Sequence, residues 1–188
     1  MSKVGNNPIM ATVNGKLGDI VVYRRVRGKL IMCKPPKKRD VLTPSQEERK
    51  ERFLEAVAYA KAQLANETSR AEYTSGITPR LTSAYLVALT DYLRAPEIKD
   101  LDVSQYNGAI GDVLEMKVTD DFKVVSVQVE IRDAAKVLIE RGDAVLREAS
   151  NSKWSYTTTK PNVALVGTTI TIRAKDKADN TTVLEKVL

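Results

Sequence analysis

The sequence predicts an α+β protein, with an N-terminal β-hairpin and a helical hairpin followed by a C-terminal antiparallel β-sandwich. Three observations carry that expectation. Two β-prone runs, 19–26 and 29–34, flank Arg27-Gly28, where glycine takes positive φ at little steric cost. Between 43 and 96, apolar residues recur every three or four positions behind hydroxyl-and-proline start signals. Beyond 112 the period becomes two, in short runs separated by turn residues. The chain thus divides into a hairpin arm and elbow (1–42), a helical region (43–96), a connector (97–112) and the sandwich (113–188).

In the hairpin, side chains alternate across each strand. Ile20 and Val22 face one way and Val21 and Tyr23 the other, while Leu30 and Met32 oppose Ile31 and Cys33. An extended piece, 9–13, joins through the Asn14-Gly15 turn signal. Both hairpin faces are apolar, and a lone hairpin is marginal in water with edges open to pairing. Two coverings satisfy this: the chain's own helices and C-terminal domain, or a neighbouring subunit. In the second, Ile20, Val22, Tyr23, Leu30 and Met32 are the docking residues.

Pro35-Pro36 ends strand pairing, because neither residue donates a backbone hydrogen bond. Thr43-Pro44-Ser45-Gln46 then sets an N-cap hydroxyl, a proline at the first helical position and the reciprocal capping-box glutamine. Glu47, Glu48 and Glu51 add negative charge where the helix dipole favours it. The helix is expected over 44–64, packing Phe53, Ala56, Val57, Ala60 and Leu64 into the core. Residues 66–75 either continue it or form a short second helix ended by Gly76. Thr78-Pro79 repeats the start signal for a helix over 79–94, with Leu81, Tyr85, Leu86, Ala88, Leu89, Tyr92 and Leu93 on its apolar face and Ala95-Pro96 as its stop.

The connector holds Asp100, Asp102, Asn107, Gly108 and Gly111 and has little periodicity. Strands are expected at 113–118, 124–131, 137–139, 144–147, 154–158, 168–174 and 181–187. Turns fall at Asp120-Asp121, Arg141-Gly142-Asp143, Asn151-Ser152 and Asp179-Asn180.

Residues 113–188 resemble bacterial immunoglobulin-like (Ig-like) or fibronectin-III-like modules. The resemblance rests on the strand Val125–Ile131, on Trp154-Ser155-Tyr156, and on the stretch from Ile170 through Ala174-Lys175-Asp176 to Asn180. That stretch is similar to the strand–Ala-x-Asp-x-x-Gly-Asn–strand pattern that ends many such modules, with Asp179 in place of the glycine. The inter-sheet cysteine pair is absent. The resemblance implies a binding or spacer module. The N-terminal part resembles uncharacterised Bacteroidota proteins, some encoded by phages or prophages, through Gly15-Lys16-x-Gly18, Arg24–Lys29, Pro35, Thr43-x-x-Gln46 and Arg49-x-x-x-Phe53. This second resemblance implies a mobile-element setting.

Composition narrows the chemistry. The 188 residues include no histidine, which removes His-based triads, general bases and metal ligands. The one cysteine, Cys33, makes neither an intramolecular disulfide nor a thiolate zinc site. Gly15-Lys16-Leu17-Gly18 lacks the spacing and the Lys-Ser/Thr ending of a phosphate loop. Asp120-Asp121 reads as a turn. Asp176 and Asp179 read as turn formers, with a calcium site as the alternative. No cofactor or metal is expected, and the chain reads as a non-enzyme.

Net charge is +6, unevenly spread. Residues 1–53 hold 13 Lys and Arg against 5 Asp and Glu, and residues 54–188 hold 17 against 19. The basic cluster Arg24, Arg25, Arg27, Lys29, Lys34, Lys37, Lys38 and Arg39 therefore belongs to the hairpin and elbow. It suits an acidic protein partner, solvent, or nucleic-acid phosphate. Aromatic residues for stacking single strands are scarce there, Tyr23 alone. Residues 1–8 carry no apolar signal core and no long apolar run follows, so a cytoplasmic or virion location is expected, without export or membrane insertion. The sequence thus points to a structural or assembly protein, with other protein subunits as partners in a homo-oligomer or multi-protein particle and a phage virion as the implied setting. A nucleic-acid-binding accessory protein is the alternative.

Overall fold

A computed structural model describes residues 2–3, 13–36, 42–147 and 152–188. Residues 9–12 of the expected extended piece, Lys37, Lys38 and Arg39, and Asn151 of one expected turn lie outside the described residues. The chain divides into two compact units, 1–47 and 48–188.

The first unit is a four-stranded antiparallel sheet. Its strands are β1 (Ser2–Lys3), β2 (Gly15–Leu17), β3 (Val21–Val26) and β4 (Lys29–Cys33), in the order β1-β4-β3-β2. The expected hairpin is β3–β4, and both central turn residues have positive φ, Arg27 at 50° and Gly28 at 76°. That is the turn whose twist suits a two-residue hairpin. Gly15 opens a strand instead of closing a turn, so β2 and β1 cover the two hairpin edges.

Helix α1 (Pro44–Ala65) begins as its caps require. Gln46 Oε1 accepts from Thr43 N at 3.1 Å, and Thr43 O accepts from the amides of Gln46 and Glu47. Its buried stripe is narrower than periodicity implies: Ala56 and Ala60 are fully buried, but Phe53 is 48% exposed. A separate helix follows, α2 (Glu67–Ser75), because Asn66 breaks α1 by accepting from Ser69 N with its side chain. The third, α3 (Ala84–Leu93), starts five residues later than expected. Thr78 accepts from Leu81 N but only closes a turn, and Ser83 is the true N-cap, accepting from Leu86 N. The helical region is therefore three helices and not a two-helix hairpin. Its core joins Ala60, Tyr73, Val87 and Ala88 with Phe122 packed alongside.

Residues 97–102, expected within the connector, form strand β5 (Glu97–Asp102). The strands β6 (Val113–Thr119), β7 (Val124–Arg132), β8 (Leu138–Asp143), β9 (Val145–Leu146), β10 (Lys153–Thr157), β11 (Thr169–Asp176) and β12 (Thr181–Val187) follow. They build two antiparallel sheets, β5-β6-β10-β9 and β12-β11-β7-β8. Leu114, Met116 and Trp154 from one sheet share a core with Val129, Ile131 and Ile172 from the other. Arg141-Gly142-Asp143 continues β8 where a turn was expected. Glycine is needed there for a different reason: a Cβ would lie 2.7 Å from the Tyr156 ring.

Candidate docking sheet and buried polar junction

Register decides which candidate docking residues share a surface. Val22 pairs with Cys33 and Lys16, Arg24 with Ile31, and Val26 with Lys29, so these occupy one face of the N-terminal sheet. Tyr23 pairs with Met32, Arg25 with Leu30 and Val21 with Leu17, and these occupy the other. The five candidates are therefore divided. Tyr23, Leu30 and Met32 lie together with Leu17 and Val21, while Val22 lies on the opposite, more basic face. Ile20 sits in the β2–β3 turn and is 80% exposed. Leu30 is buried, and Met32 is 37% exposed. The cations divide too: Arg24 and Lys29 share Val22's face with Lys16, Arg25 takes the apolar face, and Arg27 stands at the hairpin tip. Lys16 itself pairs with Asp19 at 2.5 Å.

The second unit contains a feature that periodicity does not reveal. Asp91, on α3, is fully buried although a carboxylate reads as surface. Its Oδ2 accepts from Tyr73 Oη at 2.7 Å, and its Oδ1 has no partner among the described residues. Tyr73 gives its only proton to Asp91, so Tyr59 is the donor in the 2.7 Å contact between the two hydroxyls. Above them, Asn180 in the β11–β12 turn donates its side-chain amide to the carbonyls of Asp91 (2.8 Å), Tyr92 (3.3 Å) and Arg94 (3.2 Å) and to Asp176 Oδ2 (2.8 Å). These are the final carbonyls of α3, which the helix itself leaves unpaired. Lys177 lies 4.9 Å from the centre of the Tyr73 ring and pairs with Glu72.

Burial pushes the Asp91 carboxyl up to about 7; Asp176 and Asp120 add to the rise, and the Tyr73 hydrogen bond and Lys177 oppose it. Burial also raises Asp176, against hydrogen bonds from Asn180. Tyr73 is raised well above the ordinary phenol range, by burial first and then by its bond to Asp91.

The remaining acidic candidates serve turns. Asp120 Oδ2 accepts from the amides of Phe122 and Lys123, and Asp121 pairs with Arg94 at 2.8 Å. Both Asp176 oxygens accept from Asn180, while Asp179, with φ of 68°, pairs with Lys175. The glycine-like conformation is thus kept at Asp179, a residue type that tolerates it. Among the described residues no group of three or more Asp, Glu, Cys or His is placed to hold a metal ion, and no helix is long and apolar enough to cross a membrane. Three open depressions of about 360, 370 and 510 Å³ border α1 or α2, lined largely by charged and small polar side chains such as Glu72, Ser75 and Gln63.

No protein-family model matches the chain, and no curated protein matches it at a significant level. Among solved structures, the crystal structure of an engineered protein is similar over 49% of this chain, at 17% identity and a TM-score of 0.36. The match spans 18% of that protein's length, and a likeness this slight carries no argument about fold or function.

Proposed function

We propose that the chain is a non-enzymatic structural component that docks on a neighbouring subunit through its N-terminal sheet, with an Ig-like sandwich as a spacer or display module. A phage or prophage-derived particle is the setting this reading adopts. The observation that carries it is the apolar face shared by Leu17, Val21, Tyr23, Leu30 and Met32 across three strands. The strand order β5-β6-β10-β9 against β12-β11-β7-β8, around one core, supports the Ig-like assignment.

Light scattering on the full chain tests the docking. Met32→Asp or Tyr23→Asp buries a charge in the docking face, which costs at least about 2 kcal/mol, roughly thirty-fold in association. Both variants should lower the assembled mass, and Val22→Asp, on the opposite face, should do so far less. Trp154 emission reports that the core of the two C-terminal sheets stays intact, and Val22→Asp controls for a charge placed on the N-terminal sheet itself. Unchanged mass in both Tyr23 and Met32 variants would remove the reading.

The alternative, nucleic-acid binding, draws support from Lys16, Arg24 and Lys29 on one face and Arg27 at the tip. It calls for an affinity for duplex DNA that falls steeply with salt and weakens in Arg27→Glu and Lys29→Glu.

A further inference from the structure

We propose that Asp91 is a proton-operated latch, neutral when the three helices are clamped to the β11–β12 turn and ionised when that clamp loosens. The argument begins with position. The side chain reaches α2 directly through Tyr73 and α1 through Tyr59, while the carbonyl of the same residue is held by Asn180 of the β11–β12 turn. Four elements therefore meet on one residue that is shut off from water.

The charges around it favour the neutral acid. Tyr59 faces it from α1 and Tyr73 from α2, both as neutral phenols. The β6–β7 turn contributes Asp120, whose Oδ1 is also buried and has no partner among the described residues. The end of β11 contributes Asp176, and the following turn contributes Lys177. Three carboxyls thus share one nearby ammonium, and that ammonium is already paired with Glu72 on α2. Ionising Asp91 adds a charge with one desolvated oxygen, at Oδ1, and no donor to meet it. A proton on Oδ1 cancels that charge and leaves the Tyr73 bond to Oδ2 untouched. The ionised form is relieved only when water reaches Oδ1, which requires the helices and the turn to part.

The sign follows from linkage. The folded carboxyl binds its proton more tightly than the ordinary value of 3.8, so its contribution is complete at low pH and is lost as pH rises through about 7. Over pH 5 to 8 this predicts a fall of roughly a hundred-fold in the folding equilibrium constant. Urea unfolding of the full chain, followed by Trp154 emission, reads it directly. Asp91→Asn, the same shape without the titration, should flatten that dependence. Should that variant fail to fold, the carboxyl carbon shift of Asp91 in the wild-type protein decides the matter: a midpoint near neutrality supports the latch, and one below about 5 overturns it. Hydrogen exchange, corrected for intrinsic rates, should quicken between pH 6 and 8 in α3 and the β11–β12 turn ahead of β7 and β11; uniform quickening would overturn it. Added calcium or magnesium should leave the pH dependence in place. Its disappearance would make the Asp91–Asp120–Asp176 group a cation site and overturn the latch.

Discussion

Replacing Asn180 with alanine should separate the helices from the sheets more effectively than any core truncation of similar size. The side-chain amide has two protons and four acceptors: the carbonyls of Asp91, Tyr92 and Arg94 and the carboxylate of Asp176. Two protons make about two full bonds, one to a neutral carbonyl and one to a charged oxygen. Net contributions of about 1 kcal/mol and about 2 kcal/mol for these types suggest a loss of about 3 kcal/mol, trimmed to about 2 because the residue is only half-buried. Asn180→Asp should be worse at neutral pH, since it faces three carbonyls and Asp176 with acceptors alone. Equilibrium urea unfolding measures both, with Trp154, the single tryptophan, as reporter of the shared core. A loss below about 0.5 kcal/mol for Asn180→Ala, or an aspartate variant as stable as the alanine one, would refute the clamp.

Gly108→Ala should be severe: the residue has φ of 82°, and a Cβ would lie 2.1 Å from the Asn162 carbonyl oxygen, on backbone that also bonds Gly108. A loss of roughly 3 kcal/mol is expected in thermal unfolding, against about 1 kcal/mol for Gly111→Ala, where φ is 94° but space is open. Glu130 is held below the usual carboxylate range, first by Arg141 and also by Arg132, so its contribution is present above pH 4.5 and lost as pH falls below it. Acid unfolding of Glu130→Gln should therefore show a shallower decline below pH 4.5 than the wild type.

What the sequence discloses about this fold is what neighbours in the chain decide. The start of α1 was legible because Thr43 and Gln46 cap one another within a single turn. The β3–β4 turn was legible because Gly28 advertises its own conformation. Strand β5 was not, because Asp100 at φ of 50° and the register shift between Lys99 and Asp102 interrupt the alternation that identifies strands. The late start of α3 was hidden by two hydroxyl candidates, Thr78 and Ser83, competing for one role. Asp91 was hidden for a different reason. A carboxylate reads as surface until its partners are known, and Tyr73 lies 18 residues away while Asn180 lies 89 away. Its one local signal was position, three and four residues beyond the buried Ala88 and Val87. For the docking sheet, alternation indicated two apolar faces, but only the pairing of Tyr23 with Met32 and of Val22 with Cys33 showed which residues lie together.

The polar character of the junction follows from the small residues around it. Ala56, Ala60 and Ala88 are fully buried, and alanine removes little apolar area from water, so the helices have a weak hydrophobic hold. Beside the stacking of Phe122 on Tyr73, ring centres 4.7 Å apart, the ties that remain are directional: Asn180 to the end of α3, Thr182 Oγ1 to the Pro96 carbonyl at 2.5 Å, Arg94 to Asp121, and Lys177 to Glu72. Such contacts fix orientation well but stabilise modestly, because water competes for every group involved. The shared sheet core, with Leu114, Val129, Ile131 and Ile172 wholly buried, has no comparable weakness. Local opening therefore belongs to the junction, at a cost below that of global unfolding. A carboxyl placed there lets a single proton act on the hold between the helices and the β11–β12 turn.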